Sequence, residues 1–245
     1  MEFLGEVLAW YVDPHQWTGR QTLGGEIGGT LLLAALSLAV ALVIAMPIGL
    51  YIGHTGRGGQ AVISVANIGR AVPSLGWMGI AYPITTALFA RAGHGLMPSV
   101  IALALLGIPP IVTNTFAGLR EVDPDLQEAG RGVGMTEGQL LWRVEVPVAL
   151  PVIMAGIRSS AVAIMATTPL MSLIGADTLG DDIIAGLNLN DTVRVFAAAV
   201  LVVVMALATE ALFAWLERRA TSPGLRASEA AAGGPFSAEP AGAPG

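Results

Sequence analysis

The sequence predicts an all-α, polytopic membrane protein with about five spanning helices. Three observations carry that prediction. Only 12% of the 245 residues are charged, about half of what a soluble domain uses. Hydrophobic residues make up 54% of the chain. They gather in runs of about 20 residues, the length at which an α-helix crosses a hydrocarbon core of about 30 Å.

The first run covers 30–53, TLLLAALSLAVALVIAMPIGLYIG. The second covers about 62–89 and carries Arg70 and Pro73 in its first half. Pro73 lacks a backbone donor and is expected to bend that helix. The third, about 98–119, contains the pair Pro109 and Pro110, and the fourth and fifth cover about 148–173 and 195–216. Residues 1–24 do not add a span. FLGEVLAWYV is too short to cross and lacks the basic start and cleavage site of a signal peptide, while Trp10, Tyr11 and Trp17 suit an interfacial segment. The organisation expected is therefore an interfacial segment (1–24), a transmembrane domain (25–219) and a disordered Ala/Gly/Pro/Ser-rich tail (220–245).

Composition excludes several function classes. A net charge of −6 argues against a nucleic-acid partner, which needs a basic face. There is no cysteine, and His15, His54 and His94 fit no ligand spacing, so no metal site is expected and the histidines read as loop or interface residues. All twelve basic residues are arginine. Without lysine there is no G-x-x-x-x-G-K-[ST] phosphate loop, so any ATP must be bound by another subunit.

Five spans place the termini on opposite sides. One side collects Arg57, Arg120, Arg131, Arg143, Arg218, Arg219 and Arg226, against Arg20, Arg91 and Arg194 on the other. The arginine-rich side is expected to be cytoplasmic, giving an outside N-terminus and a cytoplasmic C-terminus.

The segment 120–145 holds nine of the chain's charged residues and carries helix signals. Asp123 before Pro124 is an N-cap followed by proline at the first helical position. Gly132 and Gly134 break that helix. Thr136 and Gln139 fit a capping box, which starts a second helix bearing Leu140, Leu141 and Val144, and Pro147 is expected to close it. An ordinary solvated loop rarely carries two capped helices with apolar positions, so the segment reads as a rigid docking surface.

Glu128-Ala129-Gly130, Gly134 and Val144-x-Val146-Pro147 resemble the EAA loop of ABC importer permeases: E-A-A, three residues, G, nine residues, I-x-L-P. The spacing matches throughout. Gly130 stands where that family has a second alanine, and valines replace isoleucine and leucine. The likeness extends over about 30–219 and is closest to the osmoprotectant branch, through NIGRAVPSLG (67–76), PPIVTNTFAGLREVDPDLQEAGRGVGM (109–135) and PVALPVIMAGIRSSAV (147–162). The branch's G-A-G-G-L-G is replaced by Gly175-Ala176-Asp177-Thr178-Leu179-Gly180, and Pro169 is unusual. The resemblance implies a type I (MetI-like) transmembrane domain whose loop 120–147 couples to a cytoplasmic ABC ATPase dimer through Glu128, Ala129, Gly130, Gly134, Val144 and Pro147. It also implies a second permease subunit, identical or not, an extracytoplasmic solute-binding protein, and glycine betaine, choline or carnitine as solute. The chain itself is expected to be no enzyme and to hold no cofactor, ATP and Mg being bound by the ATPase.

Polar residues inside the spans are candidates for the path, because they are costly in hydrocarbon. Asn67, Arg70, Ser74 and Trp77 recur at helical spacing; Asn114 and Thr167 lie in the third and fourth spans. For Arg70 and Asn114, path and packing stay open. The row Ala155, Ser159 and Ala163 reads as helix packing, Arg158 as a side chain snorkelling to the interface, and Glu210 as interfacial. Trp77 and Tyr82 do not make a cage for a quaternary ammonium. The rivals are another ABC solute (methionine, phosphonate or an organosulfonate) and an ion-coupled secondary transporter. The latter commonly shows internal repeats and mid-membrane acids, and neither is seen here.

Overall fold

The computed structural model describes residues 2–18, 22–88 and 95–220. Arg20, Arg91, His94 and all of the expected tail beyond Ala220 lie outside them. Every regular element among the described residues is helical. Two N-terminal pieces, α1 (Glu2–Val12) and α2 (Pro14–Trp17), precede the bundle. The side of α1 is pinned to the last helix, where the Tyr11 hydroxyl donates to the Ala197 carbonyl at 2.8 Å and Phe3 meets Phe196 edge to face.

The first long helix, α3 (Leu23–Thr55), starts at Thr22, whose side chain accepts from Gly25 N. It stops at Gly56, whose φ of 68° only glycine adopts at little cost. The expected second span is two helices, α4 (Gly59–Ala71) and α5 (Ser74–Leu88). Val72 is driven to an extended ψ of 120° by the ring of Pro73 behind it, so the helix breaks where a bend was expected. α6 (Leu96–Arg120) follows, then the short α7 (Pro124–Gly132) and α8 (Glu137–Leu140).

From α8 the chain runs without interruption into α9 (Val146–Thr167). The join is a wide turn over Leu141–Glu145, in which Val146 N–H reaches back five residues to the Leu141 carbonyl. Pro147 therefore does not close the second short helix. In a regular helix its ring would press on the Arg143 carbonyl, and a widened turn removes that clash without ending the helix. The far end of α9 tightens over Thr168–Ile174 and is followed by α10 (Gly180–Leu189), which was not expected, and α11 (Thr192–Ala220). Among the described residues, four helical stretches are long and apolar enough to cross a membrane: α3, α6, the run Glu137–Ile174 and α11.

Small residues set how these helices pack. A Cβ on Gly49 would come within 2.7 Å of Thr115 Cβ, and one on Gly53 within 2.8 Å of Leu119 Cβ, so α3 and α6 run parallel in close contact. Gly118 faces Ala149 and Val152, and Gly107 faces Ser160 and Ile164, so α9 runs antiparallel to α6. Gly59 beside Phe116 and Gly69 beside Pro109 bring α4 back along α6. Close approach of backbones is the main source of helix association in lipid, where apolar burial gives little. At the crossing of α6 and α9, Ser160 Oγ donates to the Gly107 carbonyl at 2.7 Å. The packing row on α9 is thus Gly156, Ser160 and Ile164. Ser159 of the expected row is exposed.

Candidate docking knob and polar face

α7 and α8 form a knob at the end of the bundle where α3 and α6 finish. Asp123 caps α7 by accepting from Asp125 N at 2.9 Å. The helix ends in a paired lock: Gly134 N donates to the Arg131 carbonyl at 2.9 Å and Met135 N to the Gly130 carbonyl at 3.1 Å, a Schellman arrangement that needs a left-handed residue between them. Gly134 supplies it with φ 85°. Thr136 and Gln139 then exchange side-chain and backbone bonds at 3.0 and 3.4 Å, the expected capping box. Arg131 grips Glu137 with Nε and Nη2 at 3.0 and 3.2 Å, and that bond holds the guanidinium's pKa above its usual value.

The knob's inner and outer faces differ from the expectation. Leu140 is fully buried, and Leu141 and Val144 are half-buried. Gly130 makes room for Leu140: a Cβ there would stand 2.7 Å from Leu140 Cδ1. The departure from alanine therefore has a partner in this sequence. The apolar groups facing outward are instead Leu126, Val133 (76% exposed) and Trp142 (62% exposed), beside the exposed Glu128, Ala129 and Pro147. Sequence reasoning put the apolar docking face on Leu140, Leu141 and Val144 instead, because packing on the rest of the bundle decides which side of a short helix turns inward, and no local signal shows it.

The polar residues of the second span are split by the break at Pro73. Asn67 and Arg70 are exposed on α4, and a guanidinium Nη2 of Arg70 donates to Thr113 Oγ1 of α6. Ser74 and Trp77 are half-buried on α5. Trp77 packs against the cluster of Leu33, Ala34, Ala102 and Leu103 and its ring lies over Gly69, so it is part of the core. Asn114 donates to the Pro110 carbonyl at 2.8 Å and packs where Gly156 leaves space. Thr167 donates to Ala163 O of its own helix at 2.7 Å. Among the six candidates, only Asn67 and Arg70 form a common exposed face.

Two further clusters involve charge. Arg158 pairs with Glu210 and Glu217 at 3.5 and 3.2 Å, tying α9 to α11, so neither Arg158 nor Glu210 needs the interface to satisfy it. At the opposite end, Arg194 donates to Asp182 Oδ1 from Nε and Nη2 at 2.9 and 2.6 Å. Glu26, Asp181, Ser172, Asn188 and Arg194 line a polar cleft of about 420 Å³ there, and burial pushes the Asp181 carboxyl above its usual range. The unusual Thr178 is buried beside it, its hydroxyl 2.7 Å from Ser172 Oγ.

The described residues thus form a helical bundle with a rigid two-helix knob at one end. The chain belongs to the family of binding-protein-dependent transport system inner membrane components, whose model matches residues 45–222. It is 34% identical over 213 residues to the glycine betaine/carnitine/choline transport system permease protein OpuCB of Bacillus subtilis (strain 168), covering 85% of this chain and 95% of that protein. It is 40% identical over 202 residues to a carnitine transport permease protein of Listeria monocytogenes, covering 82% and 88%. The osmoprotectant import permease protein OsmY of Salmonella typhimurium matches at 37% over 191 residues, covering 77% and 78%. The fold is that of a chain of the inward-facing MetNI methionine ABC transporter, with a TM-score of 0.73 and 22% identity over 86% of this chain and 99% of that one.

Proposed function

We propose that this chain is the permease subunit of an ATP-driven importer for quaternary ammonium osmoprotectants: glycine betaine, choline or carnitine. The observation that carries the reading is the knob, with its locked turn and exposed Leu126, Val133 and Trp142. A rigid apolar surface held off the bundle is costly unless a partner covers it. The partner is a cytoplasmic ABC ATPase that binds ATP and Mg, met by Glu128, Ala129 and the turn at Gly134. The α4–α5 pair supplies the fifth crossing, with the knob cytoplasmic and the cleft at Glu26 and Arg194 outside. Two permease subunits enclose the path, and Asn67 and Arg70 face it. That assignment is supported by the cost of leaving a guanidinium towards hydrocarbon. The transport domain is assigned to 25–219, with the preceding α1 and α2 at the membrane interface.

The solute class is supported by the transport functions for which relatives at 34–40% identity are named, while the methionine transporter shares the fold alone. Aromatic residues are only 6% of the chain, too few to suggest a cage for a quaternary ammonium, so selection belongs to an extracytoplasmic binding protein. The permease–ATPase complex without that protein should bind choline, betaine or carnitine only weakly, and the loaded binding protein should stimulate ATP hydrolysis. Calorimetry on the complex alone tests this. A dissociation constant in the low micromolar range, about −8 kcal/mol, would move recognition into the membrane and contradict the reading.

A further inference from the structure

Four ionisable side chains from separate parts of the chain meet at the root of the knob. Glu145, on the wide turn, is 2% exposed. Its Oε2 accepts from His54 Nδ1, on the last turn of α3, at 2.6 Å. The other ring nitrogen of His54 faces Glu137 Oε2 of α8 at 3.5 Å. Glu137 in turn holds Arg131 of α7. The series Arg131, Glu137, His54, Glu145 therefore joins both knob helices and the turn to α3.

This junction bridges a compliant place. The wide turn has lost the regular i to i−4 bonding, and such turns are where helices flex. A push on the knob would bend the chain there and dissipate, unless something stiffer spans the turn. His54 spans it from a helix that packs tightly on α6 through Gly49 and Gly53. A buried carboxylate also holds its partner firmly, because losing it would strand a charge. We infer that His54 is a positioning residue that passes knob movement into the α3–α6 pair; this rests on the knob being the ATPase contact.

The test uses the full complex in proteoliposomes with its binding protein. The variants are His54→Ala, Glu145→Gln, the double variant, and His54→Gln, which keeps a donor for Glu145. A photo-crosslinker on Ala129→Cys, placed in each background, reports ATPase contact. The expected result is intact crosslinking and continued ATP hydrolysis, with solute moved per ATP falling about tenfold in either single variant, the size of one lost hydrogen bond to a charged group. The double variant should fall no further, and His54→Gln should recover part of the loss. An unchanged ratio in His54→Ala, or losses that multiply in the double variant, would overturn the inference. A purely structural role would lower the yield of complex and leave the ratio untouched. Absence of the crosslink in the otherwise wild-type chain would instead refute the docking reading.

Discussion

Gly132 and Gly134 are two residues apart, and a Cβ on either would meet nothing within 4 Å. Only Gly134 has a positive φ, 85°. Space is therefore irrelevant at both positions and backbone angle decides between them. A β-branched residue forced into that region costs about 1–2 kcal/mol, enough to loosen the lock between α7 and α8. Gly134→Val should leave the subunit in the membrane but strongly reduce uptake, whereas Gly132→Val should transport near the wild-type rate. Uptake assays on the two variants side by side check this, and equal transport by both would contradict it. The capping box, the Asp123 cap and the Gly134 turn were legible because each depends on neighbours within a few residues. The roles of His54 and Arg158 were not. Their partners are 91 residues away in one case and 52 or more in the other, and nothing local announces them.

Among the elements, the long apolar runs were legible because length and composition are local properties. The break at Pro73 was harder to read, since Pro47, Pro83, Pro109, Pro110 and Pro151 all stay within helices. What a proline does depends on whether neighbouring helices hold the chain straight. That uncertainty also undid the proposed row Asn67, Arg70, Ser74 and Trp77, whose common face required an unbroken helix. α10 was missed because ten residues beginning Gly-Asp-Asp carry no membrane-length signal. Packing of α3 on α6 gives a prediction at this scale. Gly49→Leu must push Thr115 away and should destabilise the bundle by about 1–3 kcal/mol, while Gly28→Leu, with nothing within 4 Å, should not. Thermal melts in detergent should show a lower midpoint for the first variant alone.

At the scale of the whole molecule, the arginine asymmetry and the knob make one claim about topology. The chain has no cysteine, so a single introduced thiol reports cleanly. Gly138→Cys, exposed on α8, should react with an impermeant maleimide only from the cytoplasm, and Asn188→Cys, exposed on α10, only from outside. The reverse pattern would place the knob on the wrong side for an ATPase. The central claim is that movement of solute is driven by ATP hydrolysed on a separate subunit and requires delivery by a binding protein. Its most direct measurement is uptake of labelled glycine betaine, choline and carnitine into proteoliposomes containing the permease, its ATPase and the binding protein. ATP should drive accumulation of at least one of them, and omitting either ATP or the binding protein should abolish it. Accumulation driven by a sodium or proton gradient without ATP would contradict the account.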